Sequence, residues 1–374
     1  MKNNPPFKQV RFKQIMALLK NPIWNLALIL FCFSVHPLYS QITNLEDVQE
    51  KYNWMDELIN FEFRSYLKTG INNSHVNRTI PDGCIRVKII NNEPQFSHPF
   101  PSKDSPYYSF YDLMTTLCKF YKIPDVEFIY HHHDGLHTSL RLGIPILAGC
   151  RRGDIDDVIL FGDWTLRPQE WQDSVDLLTA QAEKTPWESR RNQIIWRGTN
   201  SDGFYNQDNC FDFSRGKVVY DSLLRPDIID ARFYSFNEWR TQGALPLNLL
   251  GNYLPPIEQL DYKYHLVITG AMGSYPNDRW KMFTGSTIFW IPHNEVLWYH
   301  YPLKPYVHYI PTTGDLDVLT DRYEWAESHP NEAKKIADNA KEFAKENLQT
   351  SHFLLYMYKV LKKYESLCLH PIIP

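Results

Sequence analysis

The sequence predicts an α/β protein with parallel β-sheet. Short apolar runs rich in β-branched residues, at 266–269 and 287–291, are typical of parallel strands covered on both faces. Between them lie a turn that contains Gly270 and Gly273 and a predicted helix that begins near Asn277. This succession of strand, turn, helix and strand is the βαβ unit of α/β folds, in which ligands bind beyond the carboxyl ends of the strands.

The same patterns predict the other elements in chain order. Apolar residues at helical spacing predict helices at 44–66, 106–121, 168–184, 215–224, 331–348 and 351–364. Short apolar runs predict strands at 84–90, 126–130, 144–147, 194–199 and 305–311. In the helix at 331–348, alanines share one stripe with Ile336 and Phe343, and this stripe is expected to pack on the core.

Length and composition exclude some classes of protein. The chain has 374 residues, enough for two domains, and a charged, proline-containing linker at 185–192 marks the predicted boundary. A net charge of −4 argues against a nucleic-acid partner, because such proteins usually carry a basic surface. Aromatic residues make up 15% of the chain, which suits either stacking on sugar rings or a bulky core.

The first 40 residues have the features of a secretory signal. Residues 1–20 contain five basic and no acidic residues, residues 26–35 are almost wholly apolar, and Ser40 is a small residue at the exit. The sequence therefore predicts a signal peptide at 1–40 and a place in the secretory route: secreted, periplasmic or in the endoplasmic-reticulum lumen. The alternative is an uncleaved anchor that associates with the membrane through residues 21–38.

The six cysteines predict no structural zinc site, because none of them forms a C-x-x-C pair. Cys32 lies in the apolar N-terminal segment, and the other five are widely scattered. An oxidising compartment would permit one or two disulfides among those five. Because five is an odd number, at least one thiol would stay free or pair with another chain.

Asp134 is a candidate general base. It follows the predicted strand at 126–130, and an Asp at such a strand end can take a proton from a bound substrate. The run of histidines at 131–133, with Asp134 and His137, could instead bind a metal ion. Consecutive residues of an extended segment point to opposite faces, however, so three of them rarely bind one ion.

A second acidic motif, Asp154-Ile155-Asp156, also has two readings. In one large class of sugar transferases such a pair holds a divalent metal ion on the nucleotide diphosphate. Such a short motif recurs often by chance, so a solvated acidic turn is the preferred interpretation.

Three arginines lie at or near predicted strand-to-helix turns in the second half of the chain: Arg197, Arg215 and Arg279. Singly, each is typical of a surface residue or an ion pair. Together, in glycine-containing turns of an acidic protein, they predict a diphosphate pocket. Thr199 can add a hydroxyl group that bonds to a phosphate or a ribose.

The order of these motifs resembles glycosyltransferase family 90. This family includes Rumi-like protein O-glucosyltransferases, fungal capsule xylosyltransferases and bacterial lipopolysaccharide-modifying transferases. The resemblance is strong over about 190–365 and weaker over about 85–185. The motifs that carry it are IIWRGT (194–199), SRGKVV (214–219), SYPNDRWKMFTGSTIFW (274–290), LKPYVHYIPTTGDLDVL (303–319) and the helix around Ile336.

The resemblance implies a GT-B architecture, with two Rossmann-like domains that face each other across a cleft and a last helix that crosses back. On this basis residues 41–187 form an acceptor-side domain and residues 188–345 a nucleotide-sugar domain. Residues 346–374 would then form the helix that packs on the N-terminal domain.

The resemblance also implies roles for single residues. Asp134 corresponds to the catalytic base, and no metal or other cofactor is expected. Arg279 corresponds to the diphosphate-binding arginine, and Arg215 to a second phosphate-facing arginine. The remaining predicted donor-binding residues are Arg197, Thr199, Gly273, Ser274, Tyr275, Pro276, Asn277 and Asp278.

The implied activity is an inverting, metal-independent transfer of glucose or xylose from a UDP-sugar to an acceptor hydroxyl. The acceptor would be a protein Ser or a glycan such as lipopolysaccharide. Two alternatives stay open. One is a metal-dependent transferase that uses Asp154 and Asp156, and the other is a non-catalytic relative that binds UDP or a sugar.

Overall fold

A computed structural model describes residues 52–77, 80–99, 101–103, 105, 108–163, 165–273 and 276–372. The predicted signal segment 1–40 and the predicted donor-binding residues Ser274 and Tyr275 lie outside the described residues. Residues 54–374 form one structural unit, and it contains two five-stranded sheets.

The first sheet is mixed, with strand order β2-β1-β3-β4-β6. The pairs β2–β1 and β1–β3 are antiparallel, whereas β3–β4 and β4–β6 are parallel. The elements of this half are α1 Asn53–Glu62, β1 Cys84–Ile90, β2 Glu93–Phe96, α2 Tyr108–Phe120, β3 Val126–His131, β4 Ile146–Ala148, β5 Arg151–Arg152, β6 Val158–Leu160 and α3 Pro168–Ala182.

The second sheet is wholly parallel, with strand order β12-β10-β9-β7-β8. Numbered from β7, this is the 2-1-3-4-5 order of doubly wound folds, whose switch point lies between β7 and β9. Its elements are β7 Arg191–Gly198, α4 Ser214–Leu224, β8 Ile229–Phe233, α5 Pro256–Gln259, β9 Tyr262–Val267, α6 Asn277–Phe283, β10 Thr287–Trp290, β11 Glu295–Val296, β12 Ile310–Pro311, α7 Leu316–Ser328, α8 Pro330–Asn347 and α9 Thr350–Leu367.

The burial of the second sheet confirms the predicted α/β class. Every residue of β9 and of β10 is buried, as expected for parallel strands covered on both faces. The predicted stripe of α8 is also confirmed, because Ile336, Phe343 and the alanines of that stripe are buried. The hydroxyl of Thr287 in β10 donates a hydrogen bond to the carbonyl of Ala333 and so ties α8 to the sheet.

The last helix, α9, packs on elements of the first sheet. The Tyr356 hydroxyl donates a hydrogen bond of 3.0 Å to the carbonyl of Leu160 in β6. The Tyr364 ring lies 6.3 Å from that of Phe128 in β3. Just before α9, the Leu348 carbonyl accepts a hydrogen bond of 2.8 Å from the Trp171 indole in α3.

Two strand predictions need correction, and several strands were missed. The strand predicted at 305–311 is wrong except for Ile310–Pro311, because a turn in which the His308 N–H bonds to the Lys304 carbonyl occupies most of that segment. Strand β9 begins at Tyr262, four residues before the predicted start. Strands β2, β5, β6, β8 and β11 were not predicted. Four of them have only two to four residues, and polar Asp230 and Arg232 interrupt β8.

The cysteines and helices bear on two further expectations. The five cysteines in the described part of the chain all carry free thiols, so none of the disulfides that an oxidising compartment would permit is formed there. Four of them are buried, and only Cys368 is partly exposed. Among the described residues, no helix is long and apolar enough to cross a membrane.

A buried ion pair between Glu62 and Arg151 joins α1 to β5. Both side chains are almost inaccessible, and Glu62 also accepts the Leu160 N–H of β6. We expect Arg151→Met to lower the free energy of unfolding by about 3–5 kcal/mol, because a buried carboxylate would lose its partner. Urea denaturation measures this loss.

The matched control is Arg152→Met. Arg152 pairs with Asp154 at the surface, where an ion pair contributes about 0–1 kcal/mol. Equal losses in the two variants would contradict a stabilising role for the buried pair.

Candidate functional site

A cavity of about 470 Å³ opens at the carboxyl ends of β7 and β9. This volume is in the range of about 300–1,000 Å³ that is usual for small-molecule sites. Its position is the switch point of the second sheet, where doubly wound proteins bind their ligands. Most of its wall comes from the second half of the chain, and Asp134 and Thr165 come from the first half.

Arg215, the second residue of α4, reaches across the switch point. Its guanidinium donates hydrogen bonds to the carbonyls of Thr199, beyond β7, and of Ile268 and Thr269, beyond β9. It also donates a bond of 2.6 Å to the Ser201 hydroxyl. One side chain therefore joins the ends of two neighbouring strands.

The charge of Arg215 gives the cavity its electrostatic character. The side chain is only 6% exposed, and in the described part of the chain no carboxylate forms an ion pair with its guanidinium. Asp202 instead accepts the backbone N–H of Arg215. Burial lowers the pKa of Arg215, but an arginine stays charged in proteins. A buried cation with neutral partners at a cavity wall favours an anionic ligand.

Gly270 permits the close approach of the loop after β9 to this arginine. A Cβ atom at position 270 would lie 2.9 Å from Ser201 Oγ and 3.0 Å from Arg215 Nη2. Both distances are shorter than ordinary contacts. The loop that contains Gly270 and Gly273, which both line the cavity, therefore packs directly on the guanidinium.

Arg197 and Thr199 also line the cavity. The Arg197 guanidinium pairs with Asp230 at 2.8 Å and bonds to nearby carbonyls, so its charge is already balanced. Thr199 holds Arg215 through its carbonyl oxygen. Arg197 is therefore a wall residue whose charge is neutralised, in contrast to Arg215.

An aromatic wall completes the side of the cavity near Arg197. The rings of Tyr234 and Tyr253 lie 5.3 Å apart, edge to face, and both line the cavity. Their exposed fractions are 41% and 60%, so ring surface is accessible. Flat aromatic faces of this kind can stack on a planar ring of a ligand.

Asp134 faces the cavity from the loop after β3. The neighbouring Gly135 has φ +149°, and a Cβ there would lie 2.6 Å from the Cys150 carbonyl oxygen and 2.9 Å from Met272 Cε. The loop that carries Asp134 therefore packs on the loop after β9. Desolvation raises the pKa of Asp134, although the charges of His133, Arg240 and His137 oppose the rise. A carboxylate with a raised pKa is suited to accept a proton.

The histidine run at 131–133 was one candidate for a metal site. Burial, together with the neighbouring imidazoles, lowers the pKa of His131 and of His132 to about 4. Within the described ranges, no cluster of three or more His, Cys, Asp or Glu has metal-binding geometry. Asp154 pairs with Arg152, and Asp156 accepts a hydrogen bond from Ser65; neither lines the cavity.

Arg279 is placed behind the cavity wall rather than in it. Its guanidinium is 2% exposed and forms an ion pair with the fully buried Asp163. It lies 4.4 Å from the Trp171 ring centre and donates a bond of 3.4 Å to the Thr165 hydroxyl, which does line the cavity. Arg279 is therefore separated from the cavity by one side chain.

The other residues predicted around Arg279 are divided between two places. Gly273, Pro276 and Asn277 line the cavity. Asp278 is buried away from it and accepts hydrogen bonds from Tyr299 and His300. Burial alone would raise the pKa of Asp278, but these hydrogen bonds outweigh burial and lower it.

The chain matches the family model described as Glycosyl transferase family 90 over residues 49–372. The chain belongs to glycosyltransferase family 90. The resemblance predicted from the motifs at 194–199, 214–219 and 274–290 is thereby confirmed.

Two curated relatives are both named as protein O-glucosyltransferases. The chain is 26% identical over 263 residues to Protein O-glucosyltransferase 2 of Danio rerio, covering 68% of this chain and 50% of that protein. It is 23% identical over 261 residues to human Protein O-glucosyltransferase 1, covering 65% of this chain and 63% of that protein. The chain thus spans about half to two thirds of the length of these relatives.

One solved structure is similar only remotely. It is a glycosyltransferase from Rickettsia africae ESF-5, with a TM-score of 0.36 and 12% identity over 60% of this chain and 63% of that one. A likeness this slight supports no argument about the site.

Several residues that line this cavity were not predicted from the sequence. Ser201 lies two residues beyond Thr199, and its spacing from the Arg-Gly-Thr motif could have suggested it. Thr165, Tyr234 and Tyr253 carry no local signal, because tertiary folding alone brings them to the cavity.

The raised pKa of Asp134 can be tested by titration. Arg240→Gln should raise this pKa further, since the charge of Arg240 stabilises the carboxylate. NMR titration of labelled aspartates measures the shift, with Asp134→Asn to assign the signal and Arg225→Gln as a surface control. Titration of Asp134 in the wild type at or below the ordinary value of about 3.9 would contradict this account.

Proposed function

We propose that the chain is an inverting glycosyltransferase that transfers glucose or xylose from a UDP-sugar to an acceptor hydroxyl. One observation carries the proposal: Asp134 and the buried cation Arg215 face the same cavity from different halves of the chain. A transferase needs both groups, a base for the acceptor and a cation for the leaving diphosphate. Membership of family 90 supports this reading.

The donor is proposed to bind mainly to the second half of the chain. Arg215 and the loop that contains Gly270 and Gly273 would hold the diphosphate. The rings of Tyr234 and Tyr253 would contact the uracil at the open side of the cavity. Because the cavity lies at the switch point of a 2-1-3-4-5 sheet, this arrangement follows the general rule for nucleotide binding in doubly wound folds.

The proposed reaction is a single displacement. The acceptor oxygen attacks the anomeric carbon while Asp134 takes the proton of the attacking hydroxyl. The bond between the anomeric carbon and the β-phosphate oxygen breaks, and its electron pair leaves with UDP. Attack from the face opposite to UDP inverts the anomeric configuration. Proton transfer to a positioned base typically contributes about 10²–10⁴-fold to the rate.

Charge stabilisation is proposed to come from the protein rather than from a metal ion. Arg215 is fixed by four hydrogen bonds before the diphosphate departs, so it needs little reorganisation during the reaction. Direct contact between Arg279 and the diphosphate would require the guanidinium to move past Thr165. Leaving Asp163 would cost about 3–5 kcal/mol, because that carboxylate is buried.

A GT-B arrangement and a protein acceptor are the finer parts of the proposal. The two sheets would belong to two facing domains, with α9 crossing from the second to the first. The names of the relatives concern protein O-glucosylation, and a Ser hydroxyl of a protein is the acceptor that we propose first. A glycan or lipopolysaccharide acceptor and a place in the secretory route remain part of the same proposal.

The test is a screen for UDP release, with UDP-glucose, UDP-xylose, UDP-galactose and UDP-N-acetylglucosamine as donors. We expect slow hydrolysis of UDP-glucose or UDP-xylose that persists in EDTA. Asp134→Asn should reduce sugar transfer by about 10²–10⁴-fold and leave UDP affinity nearly unchanged, since the base does not hold the diphosphate.

Loss of activity in EDTA would contradict the metal-independent mechanism, and the same screen with Asp154→Asn and Asp156→Asn would then test the acidic motif. UDP binding without turnover of any donor, even with added acceptor proteins, would support a non-catalytic protein.

A further inference from the structure

Thr165 contributes to the cavity from the same half of the chain as Asp134. It lies in the loop between β6 and α3, beyond the carboxyl end of β6. The residues that would hold the diphosphate, Arg215 and the loop after β9, belong to the other half. A sugar transferred from the diphosphate to an acceptor beside Asp134 would lie in this cavity, which Thr165 also lines.

The hydroxyl of Thr165 has a fixed orientation. Asp163 Oδ1 accepts a hydrogen bond of 2.6 Å from the Thr165 hydroxyl and one of 2.7 Å from the Thr165 backbone N–H. A hydroxyl group has a single hydrogen, and here it is directed at Asp163. Arg279 donates a bond of 3.4 Å to one lone pair of the Thr165 oxygen, so this oxygen offers a ligand one remaining acceptor lone pair and no donor.

The partner of this hydroxyl is itself held in place. Asp163 is fully buried, and its second oxygen forms the ion pair with Arg279. The Arg279 guanidinium lies 4.4 Å from the Trp171 ring centre and 5.4 Å from that of Phe353. This packing restrains the guanidinium, and through Asp163 it restrains Thr165.

An acceptor-only oxygen selects between the parts of a nucleotide sugar. Phosphate oxygens at neutral pH are acceptors and would be repelled by another acceptor. Sugar hydroxyl groups can donate. A site that bonds to a specific hydroxyl discriminates strongly against a ligand that lacks it, because the group in the site is then left without its partner.

We propose that the Thr165 oxygen accepts a hydrogen bond from one hydroxyl group of the transferred sugar, and that Asp163 and Arg279 orient it. Thr165 is then a specificity-determining residue, whereas Asp163 and Arg279 are positioning residues. This inference rests on the proposed function, and it names the part of the donor that the first half of the chain recognises.

The experiment compares Thr165→Val with Thr165→Ser in the donor-hydrolysis and transfer assays. Valine has nearly the shape of threonine but no hydroxyl, and serine keeps the oxygen. We expect kcat/KM to fall about tenfold in Thr165→Val and to stay within about threefold in Thr165→Ser. UDP affinity should be unchanged in both, because UDP alone lacks the sugar.

Two controls separate recognition from folding. Thr115→Val removes a hydroxyl that bonds to the Tyr111 carbonyl within α2, outside the cavity, and should leave kcat/KM unchanged. Monodeoxy donors, each lacking one sugar hydroxyl, give the second control. With the wild type, kcat/KM for one of these donors should be about tenfold lower than for the complete donor. With Thr165→Val, kcat/KM for the two donors should be almost equal, a coupling that a purely structural role would not produce.

The outcomes are distinct. If removing each sugar hydroxyl in turn lowers kcat/KM by the same factor in Thr165→Val as in the wild type, there is no coupling. That result would overturn the inference while leaving the transferase proposal in place. An equal drop in UDP affinity and kcat/KM would also overturn it, because the residue would then contact the nucleotide. A wild type that turns over no donor would overturn the proposed function, and this inference with it.

Discussion

The site depends on one buried guanidinium. Arg215 donates hydrogen bonds to three carbonyls beyond β7 and β9, and these carbonyls converge only because the two strands are neighbours in a parallel sheet. The same bonds leave the charge without an anionic partner among the described residues, and burial makes such a charge costly. The sheet topology thus holds a buried cation at the cavity wall, and this cation gives the cavity its preference for an anion.

A second buried charge connects the two halves of the chain. Asp163 follows β6 in the first half, and Arg279 belongs to α6 in the second. Because both side chains are inaccessible to water, separating them would leave charges uncompensated in the interior. The pair therefore fixes the relation between the loop of Thr165 and the loop after β9, and both loops line the cavity.

Local patterns in the sequence predicted the fold well. The strand at Cys84–Ile90 was predicted with its observed ends, since seven consecutive residues carry the signal. The stripe of α8 was predicted because helical spacing is a local property. Strand β6 was missed because three residues are too few to show a period.

The candidate site was predictable only in part. Asp134 could be found because it follows the end of β3, and Arg215 because it lies at the start of the helix that follows β7. The position of Arg279 suggested the same role, but its partner Asp163 lies 116 residues away, and sequence spacing does not show where the side chain points. Thr165 was overlooked for the same reason, since its importance comes from Asp163 and the cavity rather than from a motif.

The most direct measurement is a crystal structure of the protein with UDP bound. The account predicts that the β-phosphate lies within hydrogen-bond distance of the Arg215 guanidinium, with the Asp134 carboxylate on the opposite side of an open space large enough for one sugar ring. It also predicts that the ion pair between Asp163 and Arg279 is retained. A diphosphate bound elsewhere, or one that draws Arg279 away from Asp163 while Arg215 makes no contact, would contradict the account.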